Sequence, residues 1–332
     1  MASSFVRDGV ADIEEDNGQI AVPVASLRVG TVLAFDLYLP TASGQHRVLF
    51  RERNYDFTEE ALERIKESGV KQLYIEATDH DGYLRYVEQN LDAILADPTI
   101  SIEKKSSLLY GSIQNLMREV MADARSSAAI ERSKDVVNST VDFMAKEERA
   151  FSQLLKVVSY DYYTYTHSVN VMVFGVSLAK RVGVDEPELL RSWGEGMLLH
   201  DVGKSEIDPA IVNCKGKLSE EQWLVMKQHP VFGADILSEQ EGLAPEALDI
   251  VRHHHEKLSG VGYPDQLHGD AISIPSRICT IADIFDALTT RRSYKAAVES
   301  FEALKLMRDE MASELDEALF RAFVGMMGNP EG

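Results

Sequence analysis

The run His200-Asp201-Val202-Gly203-Lys204 follows a long apolar segment and places an imidazole beside a carboxylate. An ionisable pair after an apolar run is costly to bury without a partner, so the sequence predicts that this pair has one. A carboxylate can contact two cations at once, and two cations about 3.5–4 Å apart are a common arrangement for cleaving phosphoester bonds. Together with further ligands, such a pair would form a two-metal site held by buried helices.

Further candidate ligands lie on both sides of this pair. They are His167 before it and His229, His254, His255 and Asp283 after it. All of them carry nitrogen or oxygen donors and none carries a thiolate, which favours Mn, Fe, Ni or Zn over softer metals. A lone His-Asp pair is weak evidence, whereas the whole set is a strong indication of a metal centre.

Three ordered motifs resemble the HD-GYP branch of the HD superfamily of metal phosphohydrolases. The run from His200 to Lys204 is similar to its HD-x-G-K core, and residues 254–264 are similar to its HHE-xxxGxGYP signature. Residues 282–287, together with 291–295, resemble its closing motif. The resemblance covers about residues 150 to 328. It implies a bacterial signalling enzyme, a metal-dependent cyclic di-GMP phosphodiesterase that produces linear pGpG.

The resemblance also implies which residues hold the metals. One ion would be held by His167, His200 and Asp283, the other by His229, His254 and His255, with Asp201 bridging the two. The implied cofactors are two divalent ions per chain, with Fe or Mn favoured and Ni or Zn as alternatives.

The remaining roles implied by the resemblance concern catalysis and substrate binding. Asp201 and Lys204 are the implied catalytic residues, and Lys204 would hold a phosphate oxygen or protonate the departing ribose oxygen. Arg292 and Lys295 would bind the phosphates of the substrate together with Lys204, since arginine suits forked phosphate contacts. Tyr263 would either contact a guanine or anchor its loop, and the sequence leaves both roles open.

At two places in these motifs, neighbouring residues compete for the role of metal ligand. Three consecutive imidazoles, residues 253–255, cannot all face one side of a helix. Counting back from the Gly-Tyr-Pro motif selects His254 and His255 and leaves His253 as a supporting or surface residue. By the same comparison Asp283 is the ligand, and Asp286 is structural or supports a ligand.

The chain departs from the usual pattern of the branch at two places. Lys257 and Ser259 stand where relatives usually carry Arg and Asp, which puts the internal salt links of that loop in doubt. Tyr162 and Tyr163 stand where a third-metal carboxylate would be needed, and Asp161 is badly placed for it on a helix. We therefore expect two metals and a reaction that stops mainly at pGpG.

Two other functions are compatible with the same motifs. One is a cyclic-dinucleotide receptor with little turnover that passes its signal to a partner, and the other is a hydrolase of another cyclic dinucleotide. A receptor is disfavoured because no expected ligand is missing. The Gly-Tyr-Pro loop disfavours a simple nucleotidase.

The composition excludes several other classes of protein. The 332 residues carry a net charge of −20, which disfavours broad nucleic-acid binding. A small phosphate ligand stays compatible, because divalent metals dominate the field of their own site. Two cysteines, Cys214 and Cys279, and the lack of a long apolar run or leader predict a reduced, cytoplasmic protein without membrane insertion.

The predicted fold class is mainly α, with an HD-type helical-bundle catalytic domain preceded by a small α+β domain and a helical linker. The predicted divisions are a flexible acidic tail at 1–19, an α+β accessory or regulatory domain at 20–81, a helical linker at 82–149 and an HD-GYP phosphodiesterase domain at 150–332.

Local patterns support the N-terminal divisions. The predicted strands lie at 20–24, 31–35, 47–50 and 71–75, and a helix is predicted after the cap residue Thr58. The linker shows apolar residues at three- and four-residue spacings, with a break at Asp97-Pro98.

The linker helices either pair two copies of the chain or cover the catalytic bundle, and we favour a homodimer. The other expected partners are cyclic di-GMP and signalling proteins that bind the Gly-Tyr-Pro loop or the N-terminal domain.

Overall fold

The structure is a computed structural model that describes residues 15–16, 18–41, 47–158, 164–214, 216–290 and 298–329. The chain divides into two units, residues 1–115 and 116–332. The finer divisions drawn from the sequence stay predictions. The mainly α fold class with a small N-terminal sheet is confirmed.

The N-terminal unit contains the strands. They are β1 (Glu15–Asp16), β2 (Gln19–Pro23), β3 (Thr31–Val32), β4 (Leu37–Pro40), β5 (Arg47–Arg51), β6 (Asp56–Phe57) and β7 (Gln72–Glu76). Five of them form an antiparallel sheet in the order β1-β2-β7-β4-β5, and β3 pairs with β6. Strands β4 and β6 were not predicted. Strand β1 lies inside the stretch predicted to be a flexible tail, so regular structure begins within residues 1–19.

The first helix follows the sequence prediction. Helix α1 (Glu59–Glu67) begins after Thr58, whose hydroxyl accepts a hydrogen bond from the Ala61 amide at 3.2 Å. Alternate residues of the central strands, such as Val22 and Leu73, are buried because successive side chains of a strand point to opposite faces.

Long helices follow the sheet. They are α2 (His80–Gln89), α3 (Leu91–Ala96), α4 (Ile102–Ala122) and α5 (Ser127–Lys146). The predicted break at Asp97-Pro98 falls in the segment between α3 and α4. The division between the two units falls within α4, and α5 belongs wholly to the second unit.

The second unit is a bundle of helices that carries the candidate metal ligands. Its remaining helices are α6 (Ala150–Val157), α7 (Thr164–Arg181), α8 (Pro187–Leu199), α9 (Pro209–Val212), α10 (Glu220–Met226), α11 (His229–Ser238), α12 (Pro245–His253), α13 (Ile274–Thr289), α14 (Ser300–Glu310) and α15 (Glu317–Gly328). Helix α7 packs against α8 and α13, and α12 packs against α8. Phe174, Phe285 and Phe323 join α7, α13 and α15 through edge-to-face contacts, with ring centroids 5.1–6.2 Å apart.

Within the described residues, none of the helices has the length and apolar character needed to cross a membrane.

Candidate metal centre

The predicted ligands lie at the ends of buried helices or within them. His167 is in the first turn of α7, and Asp283 lies in the middle of α13. The pair His200-Asp201 directly follows α8, His229 begins α11, and the remaining two histidines directly follow α12. Helix ends held by packing fix side chains more firmly than loops would.

The structure brings all seven predicted ligands together in two groups. One group contains His167, His200 and Asp283, and the other contains Asp201, His229, His254 and His255. Within each group, one donor atom from each residue lies within 4.8 Å of the others. This division matches the two sets implied by the sequence resemblance, while ligation itself stays a prediction.

The carboxylate of Asp201 lies between the two groups. Its Oδ2 atom is 3.7 Å from His167 Nε2 and 3.5 Å from His200 Nε2. Its Oδ1 atom is 3.2 Å from His229 Nε2 and 4.0 Å from His254 Nε2. Each oxygen thus faces a different group, which is the arrangement a bridging carboxylate requires.

Hydrogen bonds to the backbone fix the tautomers of three histidines. The Nδ1 atoms of His200, His229 and His254 lie 2.8, 2.8 and 2.9 Å from the carbonyl oxygens of Met197, Met226 and Val251, respectively. A carbonyl oxygen only accepts hydrogen bonds, so each Nδ1 atom carries the proton. In a neutral ring the Nε2 atom then presents a lone pair to the centre, as in metal-bound histidines.

The Nε2 atoms of the histidines lie close together in pairs, and a cation between them would stabilise each pair. His229 Nε2 lies 3.2 Å from His254 Nε2, and His200 Nε2 lies 3.3 Å from His167 Nε2. Two lone pairs at such distances repel each other, whereas a shared metal ion accepts both. The Oδ1 atom of Asp201 is also buried without a well-formed hydrogen bond among the described residues. The donor set and its geometry therefore fit metal ions.

Burial keeps the imidazoles neutral. It lowers the pKa of His200, lowers that of His254 well below its usual range, and lowers that of His255 to about 3. Burial alone would raise the pKa of the Asp201 carboxyl, but Lys204 and the neighbouring histidines outweigh it and the pKa falls well below its usual range. At neutral pH the centre thus offers ionised carboxylates and unprotonated nitrogens, which are the forms that bind metals.

Asp286 supports His167 from outside the two groups. Its Oδ2 atom lies 2.6 Å from His167 Nδ1, and its Oδ1 atom accepts a hydrogen bond from Asn170 Nδ2 at 2.7 Å. An ionised carboxylate on Nδ1 leaves Nε2 to face Asp283 Oδ1 at 3.0 Å. The sequence left open whether Asp286 is structural or supports a ligand, and the geometry favours the supporting role. Asn170 was missed, although its position three residues after His167 places both on one helix face.

Lys204 lies at the edge of the centre. Its Nζ atom is 2.5 Å from Asp201 Oδ2, and both residues belong to the segment that follows α8. Gly203 makes this placement possible, because a Cβ atom there would lie 2.0 Å from the carbonyl oxygen of His229. The glycine thus lets the segment approach α11 closely.

His253 lies outside both groups. Its ring nitrogens contact Asp249 Oδ1 at 2.7 Å and Asp265 Oδ2 at 3.0 Å. Burial would lower its pKa, but the two carboxylates outweigh burial and raise it. The geometry agrees with the register in which His254 and His255 belong to a candidate ligand group and His253 does not.

The Gly-Tyr-Pro loop covers His255. The Tyr263 ring lies 4.8 Å from the His255 ring, centroid to centroid, with a tilt of 35°. Glu256 holds the loop by accepting hydrogen bonds from the Asp265 and Leu267 amides at 2.7 and 3.0 Å. A Cβ atom on Gly262 would lie 2.5 Å from the Glu256 Cα atom, so a glycine is required there.

The two departures from the usual loop sequence have different outcomes. Lys257 contacts the Glu314 carboxylate, so a salt link is present at that position. The Ser259 hydroxyl is buried and has no hydrogen-bond partner among the described residues.

The loop has an aromatic neighbour that the sequence did not single out. Trp223 of α10 is 46% exposed and lies 6.3 Å from the Tyr263 ring, centroid to centroid.

Several predicted residues lie outside the described part of the chain. They are the expected phosphate contacts Arg292 and Lys295. They also include the positions considered for a third metal, Asp161, Tyr162 and Tyr163.

The fold and the grouped ligands agree with a match to a known family. A family model described as "HD domain" matches residues 134–319, and the chain belongs to this family. The match confirms the resemblance drawn from the three motifs. The structure also resembles a solved structure, that of Bd1817, an HDG"Y"P protein from Bdellovibrio bacteriovorus. The TM-score is 0.66 at 22% identity, covering 93% of this chain and 99% of Bd1817, which supports the fold alone.

Two curated relatives are enzymes by name. The chain is 30% identical over 280 residues to the cyclic di-GMP phosphodiesterase PA4108 of Pseudomonas aeruginosa, covering 80% of this chain and 67% of the relative. It is 37% identical over 161 residues to 3'3'-cGAMP-specific phosphodiesterase 3 of Vibrio cholerae, covering 48% of this chain and 34% of the relative. The chain thus spans about two thirds of the first relative and about one third of the second.

Proposed function

We propose that this protein is a metal-dependent phosphodiesterase that hydrolyses cyclic di-GMP to linear pGpG. The observation that carries the proposal is the Asp201 carboxylate, whose two oxygens face two separate groups of histidine and aspartate donors. The similarity of the chain to a named cyclic di-GMP phosphodiesterase, 30% identical over 280 residues, supports the choice of substrate.

The candidate ligands would hold two divalent ions. His167, His200 and Asp283 would hold one ion, His229, His254 and His255 the other, and Asp201 both. Two such ions, when bound, supply an activated water and neutralise the charge of the phosphate. The nitrogen and oxygen donors favour Fe or Mn, with Ni or Zn as alternatives.

Lys204 is the residue that we propose acts on the phosphate itself. Its ammonium group lies 2.5 Å from Asp201 Oδ2 and so at the border of the metal centre. There it would donate a hydrogen bond to a nonbridging phosphate oxygen or give a proton to the departing ribose oxygen. An apolar side chain at this position would do neither.

The aromatic residues beside His255 form a candidate surface for a nucleobase. Tyr263 lies against the His255 ring, and burial raises the pKa of its hydroxyl, so the phenol stays neutral. A neutral tyrosine ring can contact a guanine and donate a hydrogen bond at the same time. Arg292 and Lys295 complete the proposed substrate contacts.

A second candidate substrate is 3'3'-cGAMP, because a relative that is 37% identical over 161 residues is named for it. The two substrates share the phosphodiester ring and differ in one base. The metal centre would treat them alike, so the base contacts would decide between them.

The test is anaerobic purification of the full chain, elemental analysis, and chromatography of the products from cyclic di-GMP and 3'3'-cGAMP. We expect two metals per chain, faster turnover of cyclic di-GMP, and pGpG as the main product. Removal of the metals by a chelator should abolish turnover, and adding back Mn²⁺ or Fe²⁺ should restore it. Absence of turnover in the metal-loaded protein would favour a receptor that binds the dinucleotide without cleaving it.

A further inference from the structure

A cleft lies between α5, α8 and the segment that joins α11 to α12. Its volume is about 400 Å³, within the range that metabolite-sized ligands occupy. None of its lining residues belongs to either metal group. The cleft is therefore separate from the site to which we assign the phosphodiesterase reaction.

Two buried polar side chains of α8 line this cleft without a partner. Ser192 is 8% exposed, and its hydroxyl makes no hydrogen bond within the described part of the chain. Glu195 is 9% exposed, and only burial and more distant charges act on its carboxyl, with no hydrogen bond. Buried polar groups normally have partners, so two unpartnered groups side by side on one helix point to a ligand.

The charges of the residues that line the cleft determine whether its ligand would be an anion or a cation. Five carboxylic acids face two basic side chains: Glu131, Asp135, Glu188, Glu195 and Glu246 against Lys134 and Arg191. Lys134 pairs with Glu131 at 2.9 Å and Arg191 pairs with Glu188 at 2.6 Å. The excess negative charge of the lining therefore lies on Asp135, Glu195 and Glu246. An anion such as a cyclic dinucleotide would be repelled, whereas a cation would be attracted.

The arrangement favours an organic cation over a bare metal ion. Among the described residues, the groups of His, Cys, Asp and Glu that converge closely enough for a metal are the two of the metal centre. The acids of the cleft line a larger space instead of converging on one point. A ligand with separated positive charges suits such a lining.

We propose that this cleft binds a small aliphatic diamine, with one ammonium group held by Glu195 and Ser192 and the other facing the acids of α5. The ammonium group would give Glu195 and Ser192 the hydrogen-bond partner that each lacks. The alkyl chain would fill the space between them, and Leu189 offers an apolar contact in the lining.

The ionisation of Glu195 links this binding to pH. Burial raises the pKa of its carboxyl to about 7, Lys134 of α5 lowers it, and Glu131 of α5 and Glu188 of α8 raise it further. The remaining charged groups of the lining are Asp135, Arg191 and Glu246. An ammonium ion binds the ionised carboxylate, so we expect binding to tighten between pH 6 and pH 8.

The test is calorimetric titration of the full chain with 1,4-diaminobutane at pH 8 in an amine-free buffer of low ionic strength. The uncharged analogue 1,4-butanediol serves as the control ligand. Glu195→Gln and Ser192→Val remove the two unpartnered groups. Glu186→Gln is the matched control variant, because it removes the same charge from an exposed residue just before α8 that does not line the cleft.

We expect one diamine per chain, no binding of the diol, and at least tenfold weaker binding to Glu195→Gln. Ser192→Val should weaken binding several-fold, and Glu186→Gln less than twofold. Neither cleft variant removes a hydrogen bond that the described residues make, so both should fold, and each tests the site on its own.

The proposal is overturned if the diol binds as tightly as the diamine, or if no saturable binding occurs at millimolar diamine. It is also overturned if Glu186→Gln weakens binding as much as Glu195→Gln, because the attraction would then come from net charge alone. The measurement follows binding and not turnover, so its outcome does not depend on the phosphodiesterase reaction.

Discussion

At the scale of single residues, the carboxylate of Asp201 is the group whose loss should do most damage to the site, because both ligand groups depend on it. One oxygen faces His200 at 3.5 Å and the other faces His229 at 3.2 Å. Lys204 lies on the first of these oxygens. Loss of the negative charge would therefore weaken both ion positions and release the lysine that the reaction needs.

Replacing Asp201 by Asn keeps the shape of the side chain and removes its charge. We expect turnover of cyclic di-GMP to fall by about 10²-fold to 10³-fold or more, the size of effect seen when one group that stabilises transition-state charge is removed. Metal content measured after dialysis should fall as well. Asp235→Asn, on the exposed surface of α11, is the matched control and should keep both properties. Wild-type turnover in Asp201→Asn after chelator treatment would contradict the metal mechanism.

Asp286→Asn tests the support of His167. The carboxylate lies 2.6 Å from His167 Nδ1 and fixes the ring so that Nε2 faces the centre. Loss of such a supporting carboxylate typically lowers metal affinity or activity by about 10-fold to 100-fold. Competition with a chelator measures the affinity, and Asp286→Glu should recover part of it. An unchanged affinity in Asp286→Asn would mean that Asp286 only packs the helix.

The grouping of the candidate ligands was predictable from the sequence, whereas the partners of the supporting residues were not. His-Asp pairs and the Gly-Tyr-Pro run are local patterns, so the chain order alone indicates which residues belong together. The sequence left open whether Asp286 supports a ligand, and it did not pair Asp286 with His167, because the two residues lie 119 positions apart. Glu195 was also missed, because a single acid in an apolar helix has no local pattern.

At the scale of elements, close approach of backbones positions the site. The segment that follows Asp201 packs against α11 through Gly203, where a Cβ atom would also lie 2.4 Å from the Gly233 amide nitrogen. Backbone atoms cannot move aside as the end of a flexible side chain can. Any larger residue would therefore separate Asp201 from His229.

Gly203→Ala should destabilise the protein by about 3 kcal/mol or more, because overpacking against backbone forces the elements apart. The metal content should fall in parallel. Gly325→Ala is the matched control, since the space around Gly325 in α15 is open and alanine favours a helix by about 0.5–1 kcal/mol. Urea unfolding of the metal-free protein measures the free energy of unfolding of both variants. Equal effects in the two variants would contradict the packing argument.

The raised pKa of Glu195 makes a prediction about α8. Between the ordinary pKa of 4.5 and the folded value of about 7, the folded protein binds more protons at this group than the unfolded chain does. The free energy of unfolding therefore falls as pH rises through this window. Glu195→Gln should remove this loss and be more stable than wild type by about 2–3 kcal/mol at pH 8, with little difference near pH 4.5. Urea unfolding at both pH values, with Glu186→Gln as control, checks this, and no gain at pH 8 would contradict it.

The elements were predicted unevenly for a physical reason. Long helices and the capped helix α1 have strong local signals, and they were found. Strand β4 is four residues that end in Pro40, and β6 is two residues that pair only with β3. Such short strands are held by their partners, so their own sequence carries little information.

At the scale of the whole molecule, the roles of the two units determine which residues a catalytic fragment can lack. The family match begins at residue 134, within α5, and the metal ligands begin at His167. Helix α5 packs against α8, and Gly194 lies so close to it that a Cβ atom would be 2.8 Å from Val137 Cγ1. A division at residue 149 would thus separate α8 from a helix that covers it.

A fragment of residues 123–332 should keep its metals and hydrolyse cyclic di-GMP, whereas a fragment of residues 148–332 should lose both. Without α5, buried side chains such as those of Ile130, Val136, Val137 and Val141 no longer cover the bundle. At about 1.5–3 kcal/mol each, this loss is comparable to the whole stability of a typical domain, about 5–15 kcal/mol.

Light scattering of the full chain and the longer fragment then tests whether residues before 123 are needed for a homodimer. Elemental analysis, circular dichroism and product chromatography on both fragments separate folding from chemistry. A folded, metal-loaded and active 148–332 fragment would show that α5 is dispensable and would place the catalytic boundary near residue 150. An inactive but folded 123–332 fragment would instead mean that the N-terminal unit contributes to catalysis.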